Sequence, residues 1–453
     1  MITSTLQKAA ESMHGKLHGD DQSFLGVSID TRTLEKGELF FALQGPNFDG
    51  TEFIAEIEQA AVAAVVPEDI AAALPTIVVE DTTQALALLA ADWRRQMPAT
   101  VVGITGSNGK TTLKEMVASC LSLSAKTLAT HGNLNNEIGV PLMLLRLGEQ
   151  HRFAVIEMGA NHAGEIARLA SLANAKIVAI TNAAPAHLEG FGSVEGVAHA
   201  KGEILTNPQR PEVAVLNADD EFYGYWRSLI PEATILSFGL GTQADFRASD
   251  VYATEYGSAF TLHTPNGETQ IALPLHGAHN VLHACAASAI GTALKIDEQQ
   301  IKDGLESAEP VAGRLQPVSS ASGDTLYDDS YNANPVSVVA AAKFLAAQPG
   351  DSWLVLGDMA ELGNDAAALH ASVGADLKKA GVQNLAATGD LCRHTVAEFG
   401  DGAKWFRTQE EVIEYLLAEL GGNGNVLVKG SRSMGMERIV EALRSHAEEA
   451  KSA

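Results

Sequence analysis

The chain has 453 residues, 46% of them hydrophobic, so it can bury several cores, and its length predicts about three domains at roughly 150 residues each. Its 31 basic and 56 acidic residues give a formal net charge of −25, which argues against nucleic acid or an anionic membrane as partner and requires any anion-binding cleft to be locally positive. Three widely spaced cysteines (Cys120, Cys285, Cys392) in apolar helical patterns suggest neither a disulfide framework nor a metal cluster; with no run of signal-peptide or membrane-span length, a cytoplasmic protein is expected.

Residues 1–81 read as a small α/β module. Strands are expected over 24–30, 38–43, 63–66 and 76–79, with a helix over 51–60. Polar patches fall at two strand ends. One holds Ser28, Asp30, Thr31 and Arg32; the other runs through Gln44, Gly45, Pro46, Asn47 and Asp49. On spacing alone these are ordinary turn chemistry.

A helix over 82–97 leads into Val101-Val102-Gly103-Ile104-Thr105-Gly106-Ser107-Asn108-Gly109-Lys110-Thr111-Thr112, an apolar strand that breaks into a glycine-rich turn and enters a helix. Backbone N–H groups of such a turn cradle polyphosphate, Lys110 reaches the outer phosphates and the Thr111 hydroxyl a Mg²⁺. The match is a variant, since Ile104 stands where the strict pattern has glycine. ATP is the expected ligand.

Strands over 126–129, 153–158, 176–181, 213–217 and 234–238 then alternate with helices, the pattern of a parallel sheet with ligands at its carboxyl ends. Asn135 and Asn136 precede a helix, where capping is the simple explanation. Glu157 ends an apolar strand, as a metal-binding carboxylate would. His187 sits in a loop, and Lys201 lies on a helix where a surface lysine is the default. Residues 245–273 read as an antiparallel hairpin insertion around Pro265-Asn266-Gly267, and Asn280 opens an alanine-rich helix, as a cap or a base contact. No Asn-Lys-x-Asp stretch follows the phosphate loop, which weakens a GTPase-switch reading.

After Pro310 and Gly313 a second α/β alternation begins, with strands near 325–328, 353–356, 385–388, 404–406 and 426–428. Its polar loops hold Arg314; Asp329, Asn332 and Asn334; the run 357–363; and Lys429-Gly430-Ser431-Arg432. They gather on one sheet edge.

These motifs resemble the Mur ligases. The resemblance rests on the run 103–112, Glu157 in Glu-Met-Gly-Ala, His187, Ala200-Lys201-Gly202-Glu203-Ile204, Gly277-Ala278-His279-Asn280 and Gly313-Arg314. Asp30-Thr31-Arg32 with Gly37-Glu38-Leu39-Phe40 is shared by the two late-acting members. The stretches 328–335 and 356–363 resemble the member that joins D-alanyl-D-alanine to UDP-N-acetylmuramoyl-tripeptide. An Asp-Asn-Pro-Arg stretch, with which many relatives recognise diaminopimelate, does not occur.

The resemblance implies an α/β chain of three domains: a small N-terminal substrate domain (1–81), a central parallel-sheet ATPase domain with a small antiparallel insertion (82–310) and a Rossmann-like C-terminal domain (311–453). It implies ATP held by Gly106, Ser107, Asn108, Gly109, Lys110, Thr111 and Thr112, with Asn280, Arg314 and Asp329 also on the nucleotide. Thr111, Glu157, His187 and a carbamylated Lys201 would serve Mg²⁺. Ser28, Thr31, Arg32, Gln44, Gly45 and Asn47 would hold the uridine diphosphate end of the substrate, and Asn135, Asn136, Asn332, Asn334 and Lys429 its remainder or the incoming peptide. A monomer without nucleic-acid partner or membrane span is expected. The chemistry is activation of a carboxylate as an acyl phosphate and attack by an amine, which needs no covalent enzyme nucleophile. A related carboxylate–amine ligase, or a non-catalytic muropeptide sensor, are the alternatives.

Overall fold

The computed structural model describes residues 1–45, 48–319, 323–422 and 424–452. Pro46 and Asn47 lie outside them. The expected α/β class holds, and the architecture is built on three main sheets.

The first sheet has five strands in the order Lys16–His18, Thr76–Val78, Ala63–Val66, Leu39–Phe41 and Val27–Ser28, all parallel except the first pair. The strand expected over 24–30 breaks at Gly26, whose φ of +90° turns the chain between sheets: Ser23–Leu25 pairs with Thr3–Thr5, and Val27–Ser28 joins the five. The helix expected over 51–60 shrinks to a 3₁₀ turn, Gly50–Phe53, and one α-turn, Ile54–Ile57. Gly50 is pinned there, because a Cβ would sit 2.8 Å from the Ala42 backbone.

The helix Thr82–Gln96 starts where the Asp81 carboxylate accepts the N–H groups of Thr83 and Gln84 at 2.8 and 2.9 Å. It buries Ala85, Leu86, Leu89 and Ala90, and the buried Arg94 at its end donates to the carbonyls of Ala173, Met97 and Ala99. Those bonds fix the helix end to the central sheet's own helix and entry strand. One apolar core runs from Ile2 to Ile230, and the Ile2 N–H bonds the Leu145 carbonyl at 2.7 Å.

The second sheet has nine strands, in order Thr127–Ala129, Phe153–Glu157, Thr100–Thr105, Ile177–Ile180, Val213–Asn217, Thr234–Gly239, Phe246–Thr254, Gly257–Thr264 and Gly267–Leu273. The first seven run parallel, and the apolar runs of the four inner strands Phe153–Glu157, Thr100–Thr105, Ile177–Ile180 and Val213–Asn217 are buried as a two-sided sheet requires. The expected insertion is three strands, and it prolongs this sheet instead of standing apart from it. From Thr105 the chain turns to one edge and from Ile180 to the other, so a crevice opens between these neighbouring strands at their carboxyl ends.

The third sheet has six strands, Gln316–Ser319, Thr325–Asp329, Gly424–Lys429, Asp351–Leu356, Asn384–Thr388 and Ala403–Phe406, parallel after the first. Its two faces bury cores of their own. No helix among the described residues is long and apolar enough to cross a membrane, and the three cysteines are buried and free.

Candidate active site

Many of the expected site residues gather in the crevice. Gly106 and Gly109 take φ of +144° and +77°, and a Cβ on either would lie 1.9 Å from a buried side chain, Thr181 Oγ1 and His283 Nε2 respectively. The turn is locked to the neighbouring strand: Ser107 N–H donates to the Asn182 carbonyl, Asn108 N–H to Asn182 Oδ1, and Thr181 Oγ1 to the Asn108 carbonyl at 2.7 Å. The helix Lys110–Ser122 then points its open N-terminus into the cleft. The Lys110 ammonium lies over the turn, donating to the carbonyls of Gly106 and Ser107 at 2.7 and 3.3 Å. Its pKa is lowered, chiefly by desolvation, with Glu157 opposing and Arg314 adding to the shift.

Across from the turn, Glu157 is 2% exposed. Its Oε1 accepts from Asn135 Nδ2 at 2.7 Å, while Oε2 is buried without a hydrogen-bond partner among the described residues. The Asn pair therefore divides its work: Asn135 orients the carboxylate, and Asn136 Oδ1 caps the helix Gly139–Leu145 through the Gly139 N–H. His187 holds a left-handed backbone (φ 53°), and its buried Nδ1, though in contact with Glu361, has no hydrogen-bond partner of suitable direction. Burial lowers its pKa, against the attraction of Glu361. A buried carboxylate oxygen without a donor among the described residues, in one cleft with an imidazole and a glycine-rich turn, suits a hard divalent cation.

Lys201 is no surface lysine. It is 2% exposed on the helix Val194–Gly202, its ammonium 5.1 Å from the Phe191 ring centroid. Among the described residues it makes no hydrogen bond or ion pair. Burial and then Lys110 push its pKa down to about 7, against Glu203 and Glu165. Glu203 itself receives the N–H groups of Gly164 and Ala167.

The third sheet closes the other wall of a 640 Å³ cleft, bringing Arg314, Tyr331, Asn332, Asn334, Glu361, Lys429 and Arg432 opposite Ser107, Asn108, Gly109, Lys110, Thr111, Asn135, Asn136, Glu157 and His187. Asn334 caps the helix Pro335–Ala346 and also donates across the cleft to Asn108 Oδ1 at 2.6 Å. The Arg314 guanidinium stacks 4.1 Å from the Tyr331 ring centroid. Asp329 accepts from Lys429 Nζ at 2.7 Å and from the Leu315 N–H, so its carboxylate organises this wall from within. Lys429 also donates to the Asn332 carbonyl at 2.9 Å.

Other expected residues stand outside the cleft wall. Asn280 is buried and donates to the His276 carbonyl of its own helix start. Gly106 and Thr112 back the cradle without lining it. In the first module the Ser28 hydroxyl is engaged with Asp30, and Arg32 pairs bidentately with Asp30 at an exposed turn beside Thr31. Gln44 bonds Asp49 across a short hairpin that includes Gly45. Three contributors went unassigned from sequence: Glu361, His283 beneath Gly109, and buried Lys114. The Lys114 ammonium grips the Thr130 carbonyl at 2.6 Å, and the Thr130 hydroxyl accepts the Glu157 N–H.

Three family models match in chain order: Mur ligase family, catalytic domain, over residues 23–94; Mur ligase middle domain, over 104–291; and Mur ligase, glutamate ligase domain, over 313–432. The chain belongs to the Mur ligase family. It is 42% identical over 452 residues to the UDP-N-acetylmuramoyl-tripeptide--D-alanyl-D-alanine ligase of Escherichia coli (strain K12), covering 98% of this chain and 99% of the relative. The ligase of the same name from Bacillus subtilis (strain 168) is 34% identical, with 98% and 99% covered. Among solved Mur ligases, MurF from Acinetobacter baumannii superposes with a TM-score of 0.92 at 36% identity, covering 98% of this chain and 99% of that one. MurF from Thermotoga maritima in complex with ADP gives 0.83 at 25%, covering 94% and 98%.

Proposed function

We infer that this Mur ligase joins D-alanyl-D-alanine to UDP-N-acetylmuramoyl-tripeptide at the expense of ATP, giving the pentapeptide precursor of peptidoglycan. The full-length likeness to ligases of that name supports the substrates. The observation that carries the chemistry is one cleft with a glycine-rich turn at a helix N-terminus, the buried Glu157 carboxylate whose Oε2 has no hydrogen-bond partner among the described residues, and a second wall of cationic and amide side chains.

The division of labour is as follows. Residues 1–81, with Ser28, Thr31, Arg32, Gln44 and Gly45, take the uridine diphosphate end; residues 82–310 hold ATP; residues 311–453 bring the amine. Backbone N–H groups of 106–112 and the Lys110 ammonium bind and orient the polyphosphate, and Arg314 adds positive charge from the opposite wall. Thr111, Glu157, His187 and Lys201 as its carbamate form the donor set for Mg²⁺. Bound there, Mg²⁺ neutralises phosphate charge and orients the transferring group. The low pKa of Lys201 supplies the neutral amine that adds to carbon dioxide, turning an uncompensated buried cation into an anion. Lys110 and Arg314 face the charge that develops as the substrate carboxylate takes the phosphoryl group, and closure of the third-sheet wall keeps water from the acyl phosphate. The cleft is complete within one chain, which supports a monomeric working unit. Buried free thiols suit the cytoplasm.

Phosphate release with UDP-N-acetylmuramoyl-tripeptide, with and without D-alanyl-D-alanine, tests the reading. Release that depends on the dipeptide, with the pentapeptide as product, is the expected result. Efficient ligation of diaminopimelate instead would move the protein to the neighbouring enzyme, and ATP binding without amide formation would make it a sensor.

A further inference from the structure

The turn after the strand Asp351–Leu356 is clamped more tightly than a surface loop needs. Asp358 Oδ1 accepts the Cys392 N–H at 2.8 Å; His370 Nε2 accepts the Met359 N–H at 3.0 Å while Nδ1 pairs with the Ala366 carbonyl at 2.8 Å. The ligand atoms of Asp358, His370 and Cys392 lie within 4.8 Å of one another, yet the imidazole and carboxylate already have backbone partners. The cluster is thus a backbone clamp. The Ser431 hydroxyl accepts the Ala360 N–H at 2.6 Å and the Ser431 N–H donates to the Asp358 carbonyl at 3.1 Å, so the turn is stapled to the one after the strand Gly424–Lys429.

Next to each end of this staple stands a charge turned toward the cleft. Glu361 takes φ 60°, a backbone that a residue with a Cβ disfavours, and lays its half-exposed carboxylate against His187. Arg432 is 64% exposed at its side chain, with one nitrogen on Glu437 and its guanidinium 6.0 Å from the Tyr331 ring centroid. The other cations of the cleft are committed: Lys110 and Arg314 face the phosphate cradle, and Lys429 is closed on Asp329 and Asn332.

We propose that Glu361 and Arg432, on the two turns stapled by Ser431, receive the incoming zwitterionic dipeptide, Glu361 binding its ammonium and Arg432 its carboxylate. The proposal rests on the ligase reading above and names its amine subsite. An amine held at Glu361 lies in the same cleft as His187 and Glu157, and it becomes the nucleophile once its ammonium has given up a proton. Two opposite charges on joined turns of one cleft match the two ends of a zwitterion. Glu361 and Arg432 are recognition residues; the bond-forming step stays with the machinery already described.

Steady-state kinetics with D-alanyl-D-alanine and with its C-terminal carboxamide decide the matter. Arg432→Gln is expected to raise KM for the acid by about 10-fold or more, leaving the carboxamide, ATP and UDP-tripeptide KM values unchanged. Glu361→Gln is expected to raise KM for acid and carboxamide alike, with the Mg²⁺ requirement unchanged, and Glu361→Asp to recover part of the loss. Equal losses for acid and carboxamide in Arg432→Gln, unchanged KM values in both variants, or a raised Mg²⁺ requirement in Glu361→Gln would overturn the assignment. Wild-type enzyme run in parallel separates the two layers, because failure to ligate the dipeptide at all would refute the ligase reading itself.

Discussion

Replacing Gly109 with alanine probes the ground beneath the phosphate cradle. The added Cβ would lie 1.9 Å from His283 Nε2 on a backbone with φ +77°. The left-handed backbone costs ~1–2 kcal/mol for a residue with a Cβ. Displacing His283 within a filled interior costs a further ~1–3 kcal/mol. Together they predict a loss on the order of 2–5 kcal/mol, or a fall in Tm on the order of 10 °C for a unit of about 200 residues. His283→Ala removes the steric part and leaves the backbone part, so Gly109→Ala should cost about 1–3 kcal/mol less in that background. Calorimetry of the two single variants and the double variant, without nucleotide, measures the coupling. A Gly109→Ala protein melting within ~2 °C of wild type, or strictly additive losses, would refute the packing argument.

Lys110→Ala should lower turnover by about 10²–10³-fold or more while leaving Tm unchanged, since the ammonium contacts only carbonyls of its own turn; near-wild-type turnover would remove it from the phosphate site. Lys201 should show a carbamate carbon signal by ¹³C NMR under labelled carbon dioxide, absent in Lys201→Ala, and an active Mg²⁺-loaded enzyme with a plain amine would contradict the assignment. Burial, followed by His279, pushes the His283 pKa down to about 3, so between there and the ordinary value of 6.5 the unfolded chain binds more protons. Stability should therefore fall as pH drops from 6.5 toward 3, and His283→Gln should flatten that part of the Tm–pH curve; an unchanged slope would show that His283 is not held neutral.

Much of the central sheet was legible because a strand buried on both faces leaves an unbroken apolar run, as in Val213–Asn217, where expected and observed bounds coincide. The glycine-rich turn between the strand Thr100–Thr105 and the helix Lys110–Ser122 was legible for a different reason, since Gly-Ser-Asn-Gly breaks a strand and Lys-Thr-Thr-Leu reopens a helix. Lys201 shows where local pattern stops. Nothing in His199-Ala200-Lys201-Gly202 distinguishes a buried lysine from a solvated one, because its burial is made by Phe191 and the packing of separate helices. Asn135 and Asn136 are equal candidates for a cap until Glu157, across a strand, claims one of them. Glu361 belongs to a loop already singled out, but its role depends on a contact with His187 from another sheet, which spacing cannot reveal.

The single apolar core joining Ile2 to Ile230 bears on how the chain is made. A ribosome releases residues from the N-terminus onward, and domains commonly fold as they emerge. Here the first five-stranded sheet cannot complete its core until Trp226 and Ile230 have left the exit tunnel, and the core on the other face of the central sheet waits for Leu305 and Ala308. The third sheet, whose two cores draw only on residues from Leu315 onward, is free to fold as an independent late unit. Residues 1–81 expressed alone would leave apolar surface uncovered and aggregate, whereas residues 311–453 should yield a soluble fragment. A module can thus have a sheet of its own and still be inseparable from its neighbour in how it becomes folded.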